Sequence, residues 1–174
     1  INEMTKLTEH FTKEEFDCQC GCGNGDIIIS ERLVKELEVV RKAYGKSMRI
    51  NSGIRCLSHN RNIGSRDTSS HIKGVAADIG CTDMGTRLEL MKRLLRDAEF
   101  TRIGLHKSFI HVDVDEDKPN GMPFGCLAAY ISNGPYFTVY DGLVLENQKE
   151  GPLYMFQNNG LYSVNPKGSL EVEI

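Results

Sequence analysis

Two short stretches limit what this chain can fold into. Ser69-Ser70-His71-Ile72-Lys73-Gly74-Val75-Ala76-Ala77-Asp78 offers an imidazole and then a carboxylate, with small residues between them. Phe109-Ile110-His111-Val112-Asp113-Val114 offers a second imidazole. His71, Asp78 and His111 are three donors of the kind that a zinc ion uses when it keeps a fourth position for water. To act together, the two stretches must lie side by side. The spacing of His71 and Asp78 says little alone, since both residue types recur by chance in any soluble chain. The residues around them carry the argument.

At 174 residues the chain suits one domain, or one domain with a small appendage. Its apolar content of 40% and charged content of 26% are those of a soluble globular protein. A net charge of -3 without a basic block argues against a nucleic-acid partner. No apolar run is long enough for a transmembrane segment. No secretory leader is visible, although a first residue of Ile1 leaves a processed one open.

Residues 1 to 10 are polar and read as a frayed end. Thr12 and Glu15 then form a capping box, with Phe11 and Phe16 at the staple positions of a short helix. Ser30 caps a second helix whose Leu33, Leu37, Val40 and Tyr44 share one face, and Gly45 stops it. Ser47 to Asn51 reads as a strand, with Met48 and Ile50 on one face. Ser52-Gly53-Ile54-Arg55 leaves it in a turn. Residues 57 to 70 show no periodicity and read as a long surface loop that delivers the chain to His71. A third helix is predicted from Met84 to Ala98, with Leu88, Met91, Leu95 and Ala98 together. Thr101 to His106 and Ser108 to Asp115 read as paired strands. Alternation puts Ile110, Val112 and Val114 on one face and Phe109, His111 and Asp113 on the other, and turns His106 towards the side of His111. His10 and His59 have no matching partner and read as surface residues.

Beyond the turn signal Asp117-Lys-Pro-Asn-Gly121 the composition shifts. Tyr136 to Glu146 and Leu153 to Val164 read as two hairpins. The division predicted is residues 1–118 for the metal-binding domain and 119–174 for a β-rich C-terminal appendage, too small for a strong core of its own. Six cysteines stand at 18, 20, 22, 56, 81 and 126. The cluster Cys18-Gln-Cys-Gly-Cys22 could ligate a structural metal with a distant fourth partner, form disulfides to Cys56 or Cys81, or be free thiols. Its C-x-C-x-C spacing is not that of common zinc knuckles, and the reading favours free or disulfide-bonded structural cysteines.

Four motifs in order carry a resemblance. They are Phe11-Thr12-x-x-Glu15-Phe16-x-Cys18-x-Cys20-Gly21-Cys22, Ser52-Gly53-Ile-Arg55, Ser69-x-His71-x-x-Gly74-x-Ala76-x-Asp78, and Gly104 with Phe109-Ile-His111-Val-Asp113. Over about residues 8 to 116 they resemble the D-alanyl-D-alanine carboxypeptidase-type zinc peptidases, in the branch common in bacteriophage lysins and tail proteins. The resemblance implies an α+β fold with a small, mainly antiparallel sheet and flanking helices, shared with the hedgehog signalling domain and the lysostaphin-type peptidases. It implies cleavage of amide bonds in peptidoglycan stem peptides. It matches His71, Asp78 and His111 to the ligands of one catalytic zinc, Arg55 to an arginine near substrate, and Ser69 to a serine beside the first ligand. Localisation would then be virion-associated, or periplasmic or extracellular at the cell wall.

Two imidazoles and one carboxylate would leave zinc able to activate water for attack on an amide carbonyl. Manganese or nickel could occupy such a site, whereas calcium suits two imidazoles poorly. Arg55 could stabilise the oxyanion, a term of about 3 kcal/mol for a preorganised donor. It could instead hold a substrate carboxylate in a fork. On residue pattern alone it is an exposed arginine in a turn. Many relatives carry Asp or Glu three residues before the last histidine ligand as the base, and here Ser108 stands there. Asp113 and His106 are placed to replace it. The reading favours His106 for acid-base or oxyanion work and Asp113 for orienting a ligand imidazole. The competing function is an inactive metal-binding module, structural or wall-binding, such as a virion component. In either case residues 119–174 could serve a virion or cell-wall partner.

Overall fold

The computed structural model of the chain describes residues 3–106 and 108–118 and, beyond them, the strands within residues 127–173. The fold is α+β, with a small antiparallel sheet at its centre. Strands β1 (Ile50–Ser52), β2 (Ala76–Gly80), β3 (Arg102–Leu105) and β4 (Phe109–Asp113) lie in the order β1-β2-β4-β3, each antiparallel to its neighbour. Helices α1 (Glu31–Tyr44) and α3 (Met84–Arg96) pack on each other, and their apolar residues join one core with those of the sheet. Ala77, Ile79, Ile103, Ile110 and Val112 are fully buried in that core. Burial of each large aliphatic side chain contributes about 1.5–3 kcal/mol.

Helix α1 follows its sequence signals closely. The Ser30 side chain accepts from the Leu33 N–H at 3.3 Å, and Leu33, Leu37, Val40 and Tyr44 are buried. Gly45 ends the helix in the left-handed conformation at φ 73°, its N–H bonded to the Arg41 carbonyl. The first predicted helix is a single 3-10 turn, Lys13–Phe16. Its Glu15 carboxylate accepts from the Thr12 N–H at 2.7 Å, and the Phe11 and Phe16 rings meet at 5.9 Å. The glycines that follow leave no room for more.

The N-terminal stretch departs from the frayed end expected for residues 1 to 10. Lys13 donates its N–H to the Thr5 carbonyl at 2.8 Å, and the Thr5 N–H reaches the Glu14 carboxylate. His10 is a surface residue, as expected, with its Nδ1 at 2.8 Å from Glu38. The first strand lies later than predicted, at Ile50–Ser52, with Met48 buried just before it. The expected loop over residues 57 to 70 is also corrected. It contains helix α2 (Leu57–Asn62) and leads into a 3-10 turn at Ser70–Lys73. Asn60 is wholly buried there and ties the segment down by donating to the Arg66 carbonyl at 2.8 Å. Among the described side chains of α3, Leu90, Met91 and Leu94 are buried, with Ala98 partly buried against the core just beyond the helix. The expectations for Leu88 and Leu95 lie outside the described side chains.

Strand β5 (Leu127–Ile131) runs parallel to β3, and β6 (Tyr136–Tyr140) and β7 (Leu143–Val144) continue the sheet as an antiparallel hairpin. Strands β8 (Leu153–Gln157), β9 (Gly160–Val164) and β10 (Leu170–Glu173) form a second antiparallel sheet. The paired strands β6–β7 and β8–β9 fall where the two hairpins are predicted. The turn residues between them, and Cys126, lie outside the described residues.

Gly74 holds the junction between the 3-10 turn and β2. Its φ is 73°, and a Cβ there would stand 2.4 Å from the Ile28 carbonyl oxygen. Its own carbonyl accepts from the Ser30 N–H at 2.8 Å, so the backbone before α1 cannot withdraw without losing a bond. Left-handed strain and overpacking then add. Gly74→Ala should lower unfolding free energy by about 2–4 kcal/mol. Urea unfolding followed by circular dichroism measures this, and a loss below about 0.5 kcal/mol would refute the close-approach argument.

Candidate metal centre and active-site cleft

The sheet register assembles most of the site. Asp78 on β2 sits directly opposite His111 on β4, with Ser52 of β1 on the other side of Asp78 and Gly104 of β3 on the other side of His111. Alternation turns the core residues Ile79, Ile110 and Val112 to one face and Asp78, His111 and Asp113 to the other. His71 comes from outside the sheet. Its 3-10 turn is capped by Ser69, whose side chain accepts from the His71 N–H at 3.3 Å. The turn swings the imidazole over β2, and the rings of His71 and His111 meet edge-on at 5.2 Å.

The three donors converge. His71 Nε2 is 3.2 Å and His111 Nδ1 is 3.1 Å from the same Asp78 Oδ1. All three residues are at least nine-tenths buried. The other ring nitrogens reveal the tautomers. His71 Nδ1 is 2.7 Å from the Gly53 carbonyl, which can only accept, so Nδ1 carries the hydrogen. His111 Nε2 is 2.7 Å from Asp113 Oδ2 and donates to it in the same way. In these tautomers, two nitrogen lone pairs and a carboxylate face one point. Such an arrangement suits a cation. Zinc bonds of ~2.0–2.1 Å in a tetrahedron set ligand atoms about 3.3 Å apart, close to the separations here. The donor set and its geometry fit zinc, with backbone and carboxylate partners fixing both imidazoles from behind.

Electrostatics follow from these contacts. Burial pushes the Asp78 carboxyl up, but its contacts with the His111 and His71 rings outweigh it and hold the group well below the usual carboxylate range. Burial lowers the proton affinity of His71. Burial also opposes charge on His111, yet the neighbouring Asp113 and Asp78 carboxylates raise it above the ordinary value. Burial and then the charge of His111 lower His106.

Behind His111 lies a buried polar network. Asp113 is fully buried and accepts from Arg102 Nε at 2.8 Å, with Arg102 Nη2 at 2.6 Å. Arg102 also donates to Ser70 Oγ at 3.0 Å, and Ser70 donates to Asp115 at 2.6 Å. Lys73 closes the network on Asp115 at 3.1 Å. Ser70 and Lys73 flank the turn that carries His71, so one network braces both histidines. Asp113 thus engages the far side of the His111 ring from Asp78.

A cleft of about 690 Å³ opens over the three donors. Arg55, His59, Ser69, His106 and Phe109 are among the residues that line it. The exposed-turn reading of Arg55 is overturned. The residue is buried and donates to Ser52 Oγ at 3.1 Å, Asn60 Oδ1 at 3.0 Å and Asp78 Oδ2 at 3.4 Å. His106 reaches the His111 side as alternation predicts, stacked on Phe109 with ring centroids 4.2 Å apart. His59 also lines the cleft. Ser108 is exposed, and its backbone carbonyl accepts from Cys81.

Sequence reasoning missed Arg102, Ser70, Asn60 and Asp115. The alternation that places Gly104 and His106 on one face extends to Arg102, opposite Asp113, so that signal was present. Nothing in the local pattern marks Ser70 or Asn60. The structure also brings Cys56 to the Cys18, Cys20 and Cys22 cluster.

No curated protein is similar enough to the chain to stand as a relative. The Peptidase M15 family matches over residues 9–113, which spans the N-terminal 3-10 turn, α1 and all four strands of the antiparallel sheet. That match covers more than half of the sequence and includes His71, Asp78 and His111. A converging nitrogen, nitrogen and oxygen set in a cleft accords with a metallopeptidase family, and the chain belongs to the M15 peptidases, the D-Ala-D-Ala carboxypeptidase-type zinc peptidases.

Proposed function

We propose that this chain is a zinc-dependent peptidoglycan peptidase that cleaves amide bonds in stem peptides, as a D,D-carboxypeptidase or an endopeptidase. A bacteriophage lysin or a tail-associated wall hydrolase is the setting that fits best. The observation that carries the proposal is the convergence of His71, Asp78 and His111 beneath an open cleft in an M15 family member. Zinc held by those three residues would supply a Lewis acid for the carbonyl and for water. The rest falls to the chain. Arg55, anchored by Ser52, Asn60 and Asp78, offers a fixed positive group for a substrate carboxylate or a developing oxyanion. Ser69 lies on the cleft wall beside His71 and offers a hydroxyl to the peptide. A ring nitrogen of His106, neutral near pH 7, takes and returns the proton that the hydrolysis moves. Asp113 holds the Nε2 hydrogen of His111 and so points Nδ1 at the metal position.

Residues 1–118 would be the catalytic domain. Residues 119–174 would be a β-rich unit for a wall or virion partner. A second reading rests on Ser108, which stands where many relatives carry an acidic base. An inactive module would keep the metal and the cleft but lack turnover.

Purified sacculi incubated with the zinc-loaded protein should release stem-peptide fragments identifiable by mass spectrometry. No release at full zinc occupancy would favour the inactive module. His71→Ala, Asp78→Ala and His111→Ala should each lose the zinc of this site and all activity, since three ligands have no spare donor. Elemental analysis against a cysteine-substituted background checks the metal.

The roles of His106 and Asp113 separate in one kinetic comparison. His106→Ala should keep its zinc and lose roughly 10²-fold in kcat. Asp113→Asn should weaken zinc binding by about 10–100-fold, read by competition with a chelator. The opposite pattern would make Asp113 the base. Removing residues 121–174 should weaken binding to sacculi more than hydrolysis of a small soluble peptide. Equal loss of both would assign the segment to folding.

A further inference from the structure

A second group of metal-binding side chains stands apart from the histidine site. The Sγ atoms of Cys18, Cys20, Cys22 and Cys56 all lie within 4.8 Å of one another. Cys18 Sγ is 3.4 Å from Cys20 Sγ, which is 3.6 Å from Cys56 Sγ. A disulfide needs about 2.05 Å, and these four cysteines are all free. A tetrahedron with zinc–sulfur bonds of ~2.3 Å sets its sulfurs about 3.8 Å apart. The observed spacings approach that figure, and the sulfurs gather round one point instead of pairing off.

Backbone donors also aim at the sulfurs. The Cys56 N–H points to Cys18 Sγ at 3.3 Å, and the His59 N–H points to Cys56 Sγ at 3.3 Å. Such bonds stabilise a thiolate more than a thiol, since an ionised acceptor makes the stronger bond. They are the outer partners that thiolate–metal sites use. The N-terminal limb of the group is itself fixed. Cys18 donates its N–H to Asn24 Oδ1 at 2.7 Å, and its carbonyl accepts from Gly21.

We propose that Cys18, Cys20, Cys22 and Cys56 bind one structural zinc ion, distinct from the ion of the His71, Asp78 and His111 site. Four thiolates and no open position make the site closed and non-catalytic. Its work is mechanical. The chain between Asp17 and Ser30 has no α-helix or strand, and most of its residues are exposed, with Cys18, Asn24 and Ile29 buried. Cys56 is the N-cap of α2 and follows Arg55 directly. The ion therefore staples the loop to the start of α2. It also fixes the backbone that presents Arg55 to the cleft. Gln19, between two of the ligands, lines that cleft and donates to the Asn51 carbonyl.

The test uses the full chain purified under reducing conditions. Elemental analysis should find two zinc ions per chain, one in Asp78→Ala and one in the double variant Cys20→Ser/Cys22→Ser, which alters only the two exposed ligands. Cobalt(II) added to the metal-stripped Asp78→Ala chain should give an intense near-ultraviolet thiolate charge-transfer band and tetrahedral visible bands. The cysteine variant should lack both and melt about 10 °C lower. A cobalt spectrum without the thiolate band in the cysteine-intact chain would overturn the site even if the variant failed to fold. Stoichiometric iron, or disulfides among the four residues on peptide mapping, would overturn it too. Failure of the histidine site alone would remove the other zinc and leave the thiolate spectrum unchanged.

Discussion

The register between β2 and β4 is the constraint on which the site depends. Asp78 faces His111 directly, and that pairing alone sets two donors within reach of one ion. A slip of one residue would turn every side chain on a strand to the opposite face. Asp78 would then enter the core, and Ile79 would leave it. Ile79, Ile110 and Val112 are fully buried, so the slip would sacrifice several kcal/mol of apolar burial and also strand a carboxylate. The apolar face of the sheet thus enforces the geometry of its polar face. Only His71 needs a separate device, and the Gly53 carbonyl, the Ser69 cap and the left-handed Gly74 provide it.

The polar network behind the ligands meets a different demand. Asp113 is a carboxylate with no exposed surface. Such a group is tolerated when its charge is paired and its oxygens accept several hydrogen bonds. Arg102, His111 and the Asp115 N–H do this here. Removing one partner from a buried pair costs about 3–5 kcal/mol, because the other charge is left uncompensated. Replacing Arg102 would therefore disturb folding as well as the His111 ring. The same network reaches Ser70 and Lys73 on either side of His71. The two imidazoles share a rigid support even though they come from different segments.

What was legible in the sequence follows from how local each signal is. Helix α1 declares itself through a serine cap, an apolar stripe of period 3.6 and a terminal glycine. The β3–β4 hairpin declares itself through alternation. Helix α2 does not, since its six residues are too few for a stripe and its cap is a cysteine. Its one buried residue is the polar Asn60, bonded to Arg55 and to the Arg66 carbonyl. The burial of Arg55 was hidden for the same reason. Of the three side-chain partners described for it, Asp78 is set by tertiary structure, and only Ser52 and Asn60 are near in sequence. The metal donors were legible as residue types, but their convergence depends on the register and on the turn at His71. The meeting of Cys56 with the Cys18 cluster is likewise a tertiary event that no spacing announces.

Two imidazoles five residues apart in the same hairpin end with opposite proton affinities. His111 has Asp113 behind it and Asp78 in front, and those carboxylates raise it despite burial. His106 lies half-buried against Phe109, and burial together with the charge of His111 lowers it. When environments push two titratable groups apart in this way, they suit different tasks. A ring held by carboxylates on both sides is a good electron donor once a metal replaces its proton, and a poor carrier of protons to substrate. A ring that is neutral near pH 7 and lines the cleft is a good acceptor. The hairpin therefore has room for both a ligand and a proton carrier without an acidic residue at position 108. Under the proposed function, His106 would be the base in a cleft where Ser108 stands in place of the expected acidic residue.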